Sequence, residues 1–214
     1  GRPTVVFVAS EGGGIRAAYW TAAVLERLTE RVPDLLGRNL YALSGVSGGS
    51  LGVAAWLMAQ RERYCPQVAA QPGAARAAAR QGPTASLGLD FVSPAVAGIF
   101  YYDLAQRFLP FAVPALDRSR AMEQGWQRAF AHLPGQPFEQ TLDALYGDCP
   151  ALPRLLLNAT VVETGQRAVL GPLVLGADDG AQCSTDALFL NSMPAMGDDL
   201  ATRRQALAGL VHHS

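Results

Sequence analysis

The stretch LSGVSGGSLG, residues 43–52, places Ser47 in a G-x-S-x-G pattern made by Gly45, Val46, Ser47, Gly48 and Gly49. A serine on a tight strand-to-helix turn is held exposed in a strained conformation, which suits a nucleophile. At a helix start the unpaired N–H groups and the helix dipole favour developing negative charge. Such a serine still needs a group to take its proton. The chain has three histidines, His132, His212 and His213, and none lies near this stretch in sequence.

A second glycine run, Gly12-Gly13-Gly14 in EGGGIR, has the composition of an anion cradle, because backbone N–H groups in such loops point outward. It admits an oxyanion hole for acyl transfer or a phosphate site for a nucleotide. A Walker-type phosphate loop needs a lysine, and all 17 basic residues here are arginines. A G-x-G-x-x-G dinucleotide fingerprint would end on Ala17, which that pattern tolerates. It would also want an acid near the end of the next strand, where Ser47 stands instead.

Both glycine runs sit where the flanking residues predict a strand followed by a helix. TVVFVAS (Thr4–Ser10) is a β-branched run of the kind found in buried parallel strands. Ile15, Ala18, Ala22, Leu25, Leu28 and Val32 then follow helical spacing up to Pro33. LYALSG (Leu40–Gly45) is a second strand, and Ser50–Arg63 a second helix. This alternation predicts an α/β fold with a mainly parallel sheet. Two glycine-lined turns on adjacent parallel strands would share the carboxyl edge of that sheet, where ligands bind in open α/β folds. One turn would supply a nucleophile and the other oxyanion donors.

The rest of the chain carries less chemistry. It has 214 residues, half of them hydrophobic, 16% charged, with a formal net charge of −1. Those values fit one globular domain, residues 1–214, and give no basic stripe for nucleic acid. Residues 66–86 are rich in Ala, Gln, Pro and Gly and read as a linker-like surface insertion. Residues 87–133 are apolar, aromatic and broken by Pro94, Pro110 and Pro114, giving short core helices or a hydrophobic cap over an acyl-binding site. Arg154–Leu175 reads as two strands joined near Thr164-Gly165, and residues 198–213 as an amphipathic segment. Cys65, Cys149 and Cys183 lack metal-site spacing and are expected as free thiols, with a Cys149–Cys183 disulfide as the alternative. No apolar run is long enough for a transmembrane helix, and no signal peptide is present. The opening directly on a strand suggests a domain excised from a longer protein, with room for a membrane segment upstream.

VASEGGGIRAAYWTAAVLERL followed by LSGVSGGSLG resembles the patatin-like phospholipase family. NATVVETGQRAVL is similar to a strand-turn-strand of that family. The resemblance is strong over the first 60 residues, moderate over 154–170 and slight between. It implies a three-layer α/β/α fold and lipid acyl hydrolase activity, on a lipid or other ester with a membrane surface as a candidate partner, and with no metal, nucleotide or nucleic acid required. The implied roles are nucleophile for Ser47, elbow glycines for Gly45 and Gly49, oxyanion hole for Gly12, Gly13 and Gly14, and a supporting loop position for Arg16. Glu11 and Ala17 depart from the family's usual Asp and Gly. The implied proton acceptor is an aspartate in a later D-G-G or D-G-A motif. Asp179-Gly180-Ala181 matches the letters but precedes the helix that should lead to it, so the partner is expected beyond Ser214, with Asp179 as fallback. Two alternatives stand beside this reading. One is an α/β-hydrolase triad using His212 or His213; the other is a lipid- or membrane-associated scaffold whose hydrolase fold has lost a working dyad.

Overall fold

The β-branched and small residues of Val6–Ser10 form β1, and Leu40–Val46 forms β2 beside it in parallel. A computed structural model describes residues 4–69, 82–97, 100–101, 104–109, 111, 118–162, 164–172 and 187–190 of the chain. Between these strands run α1 (Gly14–Arg31) and the short α2 (Pro33–Arg38), and α3 (Gly48–Ala59) follows β2. Arg154–Thr160 forms β3, parallel to β2, and Arg167–Leu170 forms β4, antiparallel to β3. Ala187–Leu190 adds β5 parallel to β4, so the described sheet runs β1-β2-β3-β4-β5 and is mostly parallel. The expected α/β class is the one observed. The turn joining β3 and β4 contains Gly165 at φ +71°, within the predicted Thr164-Gly165 connection.

α3 is the centre of the core. It is apolar on all sides, as a helix enclosed between a sheet and another helix must be. Val53, Ala55, Trp56 and Leu57 are fully buried with Ala18, Ala22 and Leu25 of α1 and Leu43 of β2. Each large apolar side chain so enclosed contributes roughly 1.5–3 kcal/mol relative to exposure. The helices meet closely because position 52 is glycine: a Cβ there would lie 2.6 Å from the Ala18 carbonyl oxygen. The Trp56 indole N–H donates to Thr29 Oγ1 (3.2 Å), so its one polar atom is satisfied inside the core. On β1 alternate residues face opposite ways, and Phe7, exposed, packs its ring against Tyr41.

After α3 the chain bends at Gln60 and continues as α4 (Arg61–Tyr64) and α5 (Pro66–Ala69). The predicted single helix Ser50–Arg63 is therefore two. Within residues 66–86, α6 (Pro83–Leu87) is packed against α1 and α3, with Pro83, Ser86 and Leu87 buried. α7 (Val92–Ala97), α8 (Leu104–Arg107) and α9 (Arg118–Ala129) lie in the proline-broken stretch. There Phe130 and Leu133 join the core, while Phe100, Tyr101, Leu104 and Phe108 are exposed. No helix among the described residues is long and apolar enough to cross a membrane.

The cysteines overturn an expectation. Cys65, at the end of α4, forms a disulfide with Cys149, which ends α10 (Leu142–Asp148). Both are buried, so the free-thiol reading fails for these two, and the Cys149–Cys183 alternative fails because Cys149 is already paired. The physical reason is long-range packing: α4 and α10 come together although 84 residues separate the cysteines. Cys183 lies outside the described residues.

Candidate active site

Ser47 is the N-cap of α3, with φ 52° and ψ −121°. Positive φ is costly for any residue carrying a Cβ, and among the described non-glycine residues only Gln136 shares it. The strain persists because the turn is enclosed by close backbone contacts. A Cβ on Gly45 would sit 2.5 Å from Ser50 Cα, so β2 passes directly beneath the first turn of α3. A Cβ on Gly49 would collide with the carbonyl oxygens of Glu11 and Ser10, so that turn also rests on the end of β1. The Ser47 side chain is left exposed at the carboxyl edge of the sheet.

The second glycine run lies against this elbow. A Cβ on Gly48 would overlap the backbone of Gly14, and one on Gly12 would be 3.3 Å from Ser47 Cβ. Gly13 and Gly14 have φ of 152° and 62°, the backbone turn that carries the chain from β1 into α1. Parallel pairing of Ser10 with Gly45 brings the two turns to the same level. Each helix starts without a side-chain cap, at Gly13 for α1 and at Ser47 for α3, and neither has an acidic residue in its first turn. The first N–H groups of both helices are thus left without intrahelical partners beside one exposed hydroxyl. Their dipoles make that space favourable for an anion.

The structure brings together Gly12, Gly13, Gly14, Gly45, Ser47 and Gly49, the residues singled out from the sequence. Arg16 lies exposed in the first turn of α1, without an ion pair or side-chain hydrogen bond among the described residues. Glu11 offers its backbone oxygen to the packing under Gly49, and its side chain makes no hydrogen bond to Ser47. No Asp or Glu among the described residues hydrogen-bonds to Ser47. Asp179, His212 and His213 lie outside the described residues. His132 follows α9, its Nε2 buried without a partner, and it makes no bond to the elbow. Among the described residues no three His, Cys, Asp or Glu side chains gather as a metal site.

Asn158 was not singled out by the sequence. It stands at the carboxyl end of β3, in register with Val46. Its Nδ2 donates to Ser44 Oγ (2.9 Å) and to the Gly45 carbonyl oxygen (3.0 Å). The available signal was one amide following the apolar run LLL where the pairing of β3 with β2 ends. A half-buried amide without partners is costly, so such a residue implies a bond to something nearby.

No protein-family model matches this sequence, and neither the curated proteins nor the solved structures contain a significant match to it.

Proposed function

We propose that the protein is a serine acyl hydrolase of the patatin-like kind, acting on a lipid or other carboxylic ester. The observation that carries this reading is the strained, exposed Ser47 with an uncapped glycine loop packed against it. Ser47 Oγ attacks the ester carbonyl carbon while its proton passes to a carboxylate base. Backbone N–H groups of the Gly12–Gly14 loop and the α3 start stabilise the oxyanion, in the direction their dipoles favour. Collapse of the tetrahedral intermediate expels the alcohol, which takes the proton, and leaves an acyl-Ser47 ester. Water, activated by the same carboxylate, then attacks the acyl carbon, releases the acid and restores the serine. The base this reading requires is an aspartate; Asp179 is a candidate for it and lies outside the described residues.

The test is covalent labelling of the full-length protein with a fluorophosphonate, followed by mapping of the modified peptide. Modification of Ser47, and loss of both labelling and short-chain esterase activity in Ser47→Ala by about 10³-fold or more, is the expected result. A folded protein that leaves Ser47 unmodified would instead favour the scaffold reading.

A further inference from the structure

We infer that Asn158 is a positioning residue for Ser47, holding the last strand residues before the elbow in the geometry that aims the serine at the oxyanion loop. This rests on the proposed acyl-hydrolase reading and adds a side chain to it. Asn158 Nδ2 has two protons, and both are engaged: one by Ser44 Oγ at 2.9 Å, one by the Gly45 carbonyl oxygen at 3.0 Å. A carbonyl oxygen only accepts, so the contact with Gly45 fixes which end of the amide faces β2. Among the described residues no other side chain hydrogen-bonds to residues 45–49.

The elbow is confined from several directions, and these contacts differ in kind. The first turn of α3 lies over Gly45, and the Gly12 and Gly14 backbones lie against Ser47 and Gly48. Both are close approaches, which stop the turn from moving inward. Gly45 is paired in the sheet with Ser10 and Leu157, and Asn158 adds the side-chain contact, drawing the Gly45 peptide towards β3 two residues before the serine. A residue at φ 52° returns to a lower-energy conformation when its neighbours allow it. Release of the Gly45 carbonyl from Asn158 removes one of the bonds that oppose that return. A displacement of about 1 Å at a reacting atom costs on the order of 10²-fold in rate.

The experiment compares wild type, Asn158→Ala, Asn158→Asp and Ser44→Ala in the full-length protein. The readouts are the second-order rate of fluorophosphonate labelling at Ser47 and, separately, KM and kcat on a short-chain ester. Asn158→Ala is expected to slow labelling and kcat by about 10- to 100-fold with KM unchanged, because substrate contacts remain and aim is lost. Ser44→Ala keeps the bond to Gly45 and should stay within about 3-fold of wild type. Asn158→Asp puts a carboxylate against the Gly45 carbonyl and should be as slow as the alanine variant near neutral pH. Its rate relative to wild type should then recover as pH falls toward about 4, where the protonated carboxyl again donates. A merely structural residue would give no such recovery. Should Asn158→Ala fail to fold, the pH course of the isosteric aspartate variant carries the test alone. Labelling of Asn158→Ala within about 3-fold of wild type, or an Asn158→Asp ratio that is flat with pH, overturns the inference while Ser47 remains the nucleophile. A wild type that is not labelled at Ser47 removes the acyl-hydrolase reading and this inference with it.

Discussion

The two ends of α3 are held by opposite means. At its start, the elbow and the Gly12–Gly14 loop fit together because side chains are missing: Gly45, Gly48 and Gly49 each leave a space that backbone atoms occupy. Beyond its far end, about 18 Å along a helix of this length, α4 and α10 are joined by what side chains add. The Cys65–Cys149 disulfide links them, and the buried Arg61 guanidinium lies 3.4 Å from the Asp148 carboxylate. Tyr64 donates to the Leu36 carbonyl, while Tyr146 donates to Pro153 O and accepts from the Leu155 N–H, each at 2.7 Å. The first end is geometrically intolerant and the second is cross-linked. Substitutions should therefore fail differently in the two places: by steric exclusion at the site, by loss of a bond in the arm formed by α4 and α10.

The largest expected effect lies at the glycine contact. Gly48→Ala drives a methyl into the Gly14 backbone, forcing the two turns apart; a destabilisation of about 3 kcal/mol and loss of Ser47 labelling are expected. Gly14→Ala meets nothing within 4 Å and bears only the cost of φ 62°, roughly 1–2 kcal/mol. Denaturant unfolding and labelling rates on both variants check the contrast. If Gly14→Ala proves the worse of the two on both measures, backbone conformation rather than close contact dominates this end.

The same difference explains what could be read from the sequence. At the site, backbone geometry dictates residue type locally, so EGGGIR and GVSGG announce their turns within a few residues of themselves. β1, β2, α1 and the start of α3 follow from period and β-branching for the same reason. The arm has no local signature. Cys65 and Cys149 are ordinary in their own neighbourhoods, and only tertiary packing makes them partners. The break at Gln60 was hidden because AQRERY continues the helical composition of α3. β5 was missed because ALFL is four residues long with no flanking alternation. Asn158 was legible as an oddity in β3, but its partners, Ser44 and Gly45, lie more than 110 residues earlier.

The disulfide comes next, its loss comparable in stability but sparing the nucleophile. Cys149→Ser should lower stability by about 2–5 kcal/mol, since an unfolded chain closed by a long loop regains its freedom when the bond is lost. In denaturant without reductant, thiol alkylation should leave Cys65 and Cys149 unmodified, and with reductant it should modify both. Labelling of Ser47 in the folded Cys149→Ser protein should be near wild type, because the arm meets α3 at the end away from the nucleophile. A labelling rate that falls with the disulfide would show the two ends to be coupled.

A smaller effect, and of opposite sign, is expected at the nucleophile itself. Ser47→Gly removes the Cβ that makes φ 52° costly, so it should raise stability by about 1 kcal/mol while abolishing activity. Ser47→Ala keeps the Cβ and should give no such gain. Equal unfolding midpoints for the two variants would mean that the elbow stores no strain.

The smallest effect belongs to the arm and appears only in alkali. Burial pushes the phenols of Tyr64 and Tyr146 up to about 12, with nearby Arg63 and, for Tyr146, the Leu155 N–H and Arg154 opposing it. Both phenols donate hydrogen bonds that a phenolate could not make. In the unfolded chain a tyrosine ionises near pH 10, so between pH 10 and 12 the folded state holds the greater number of protons. Stability from these groups is therefore complete below pH 10 and falls as pH rises through that window. For Tyr146 the loss at pH 11 is about 1 kcal/mol, and for the more exposed Tyr64 it is smaller. Chemical denaturation at pH 9 and 11, with Tyr146→Phe as control, measures it. The variant lacks the ionisable group, so its stability should depend less on pH across this window than that of wild type. The same slope in both proteins would mean that Tyr146 ionises as freely when folded as when unfolded, and that burial and the hydrogen bond to the Pro153 carbonyl do not hold its proton.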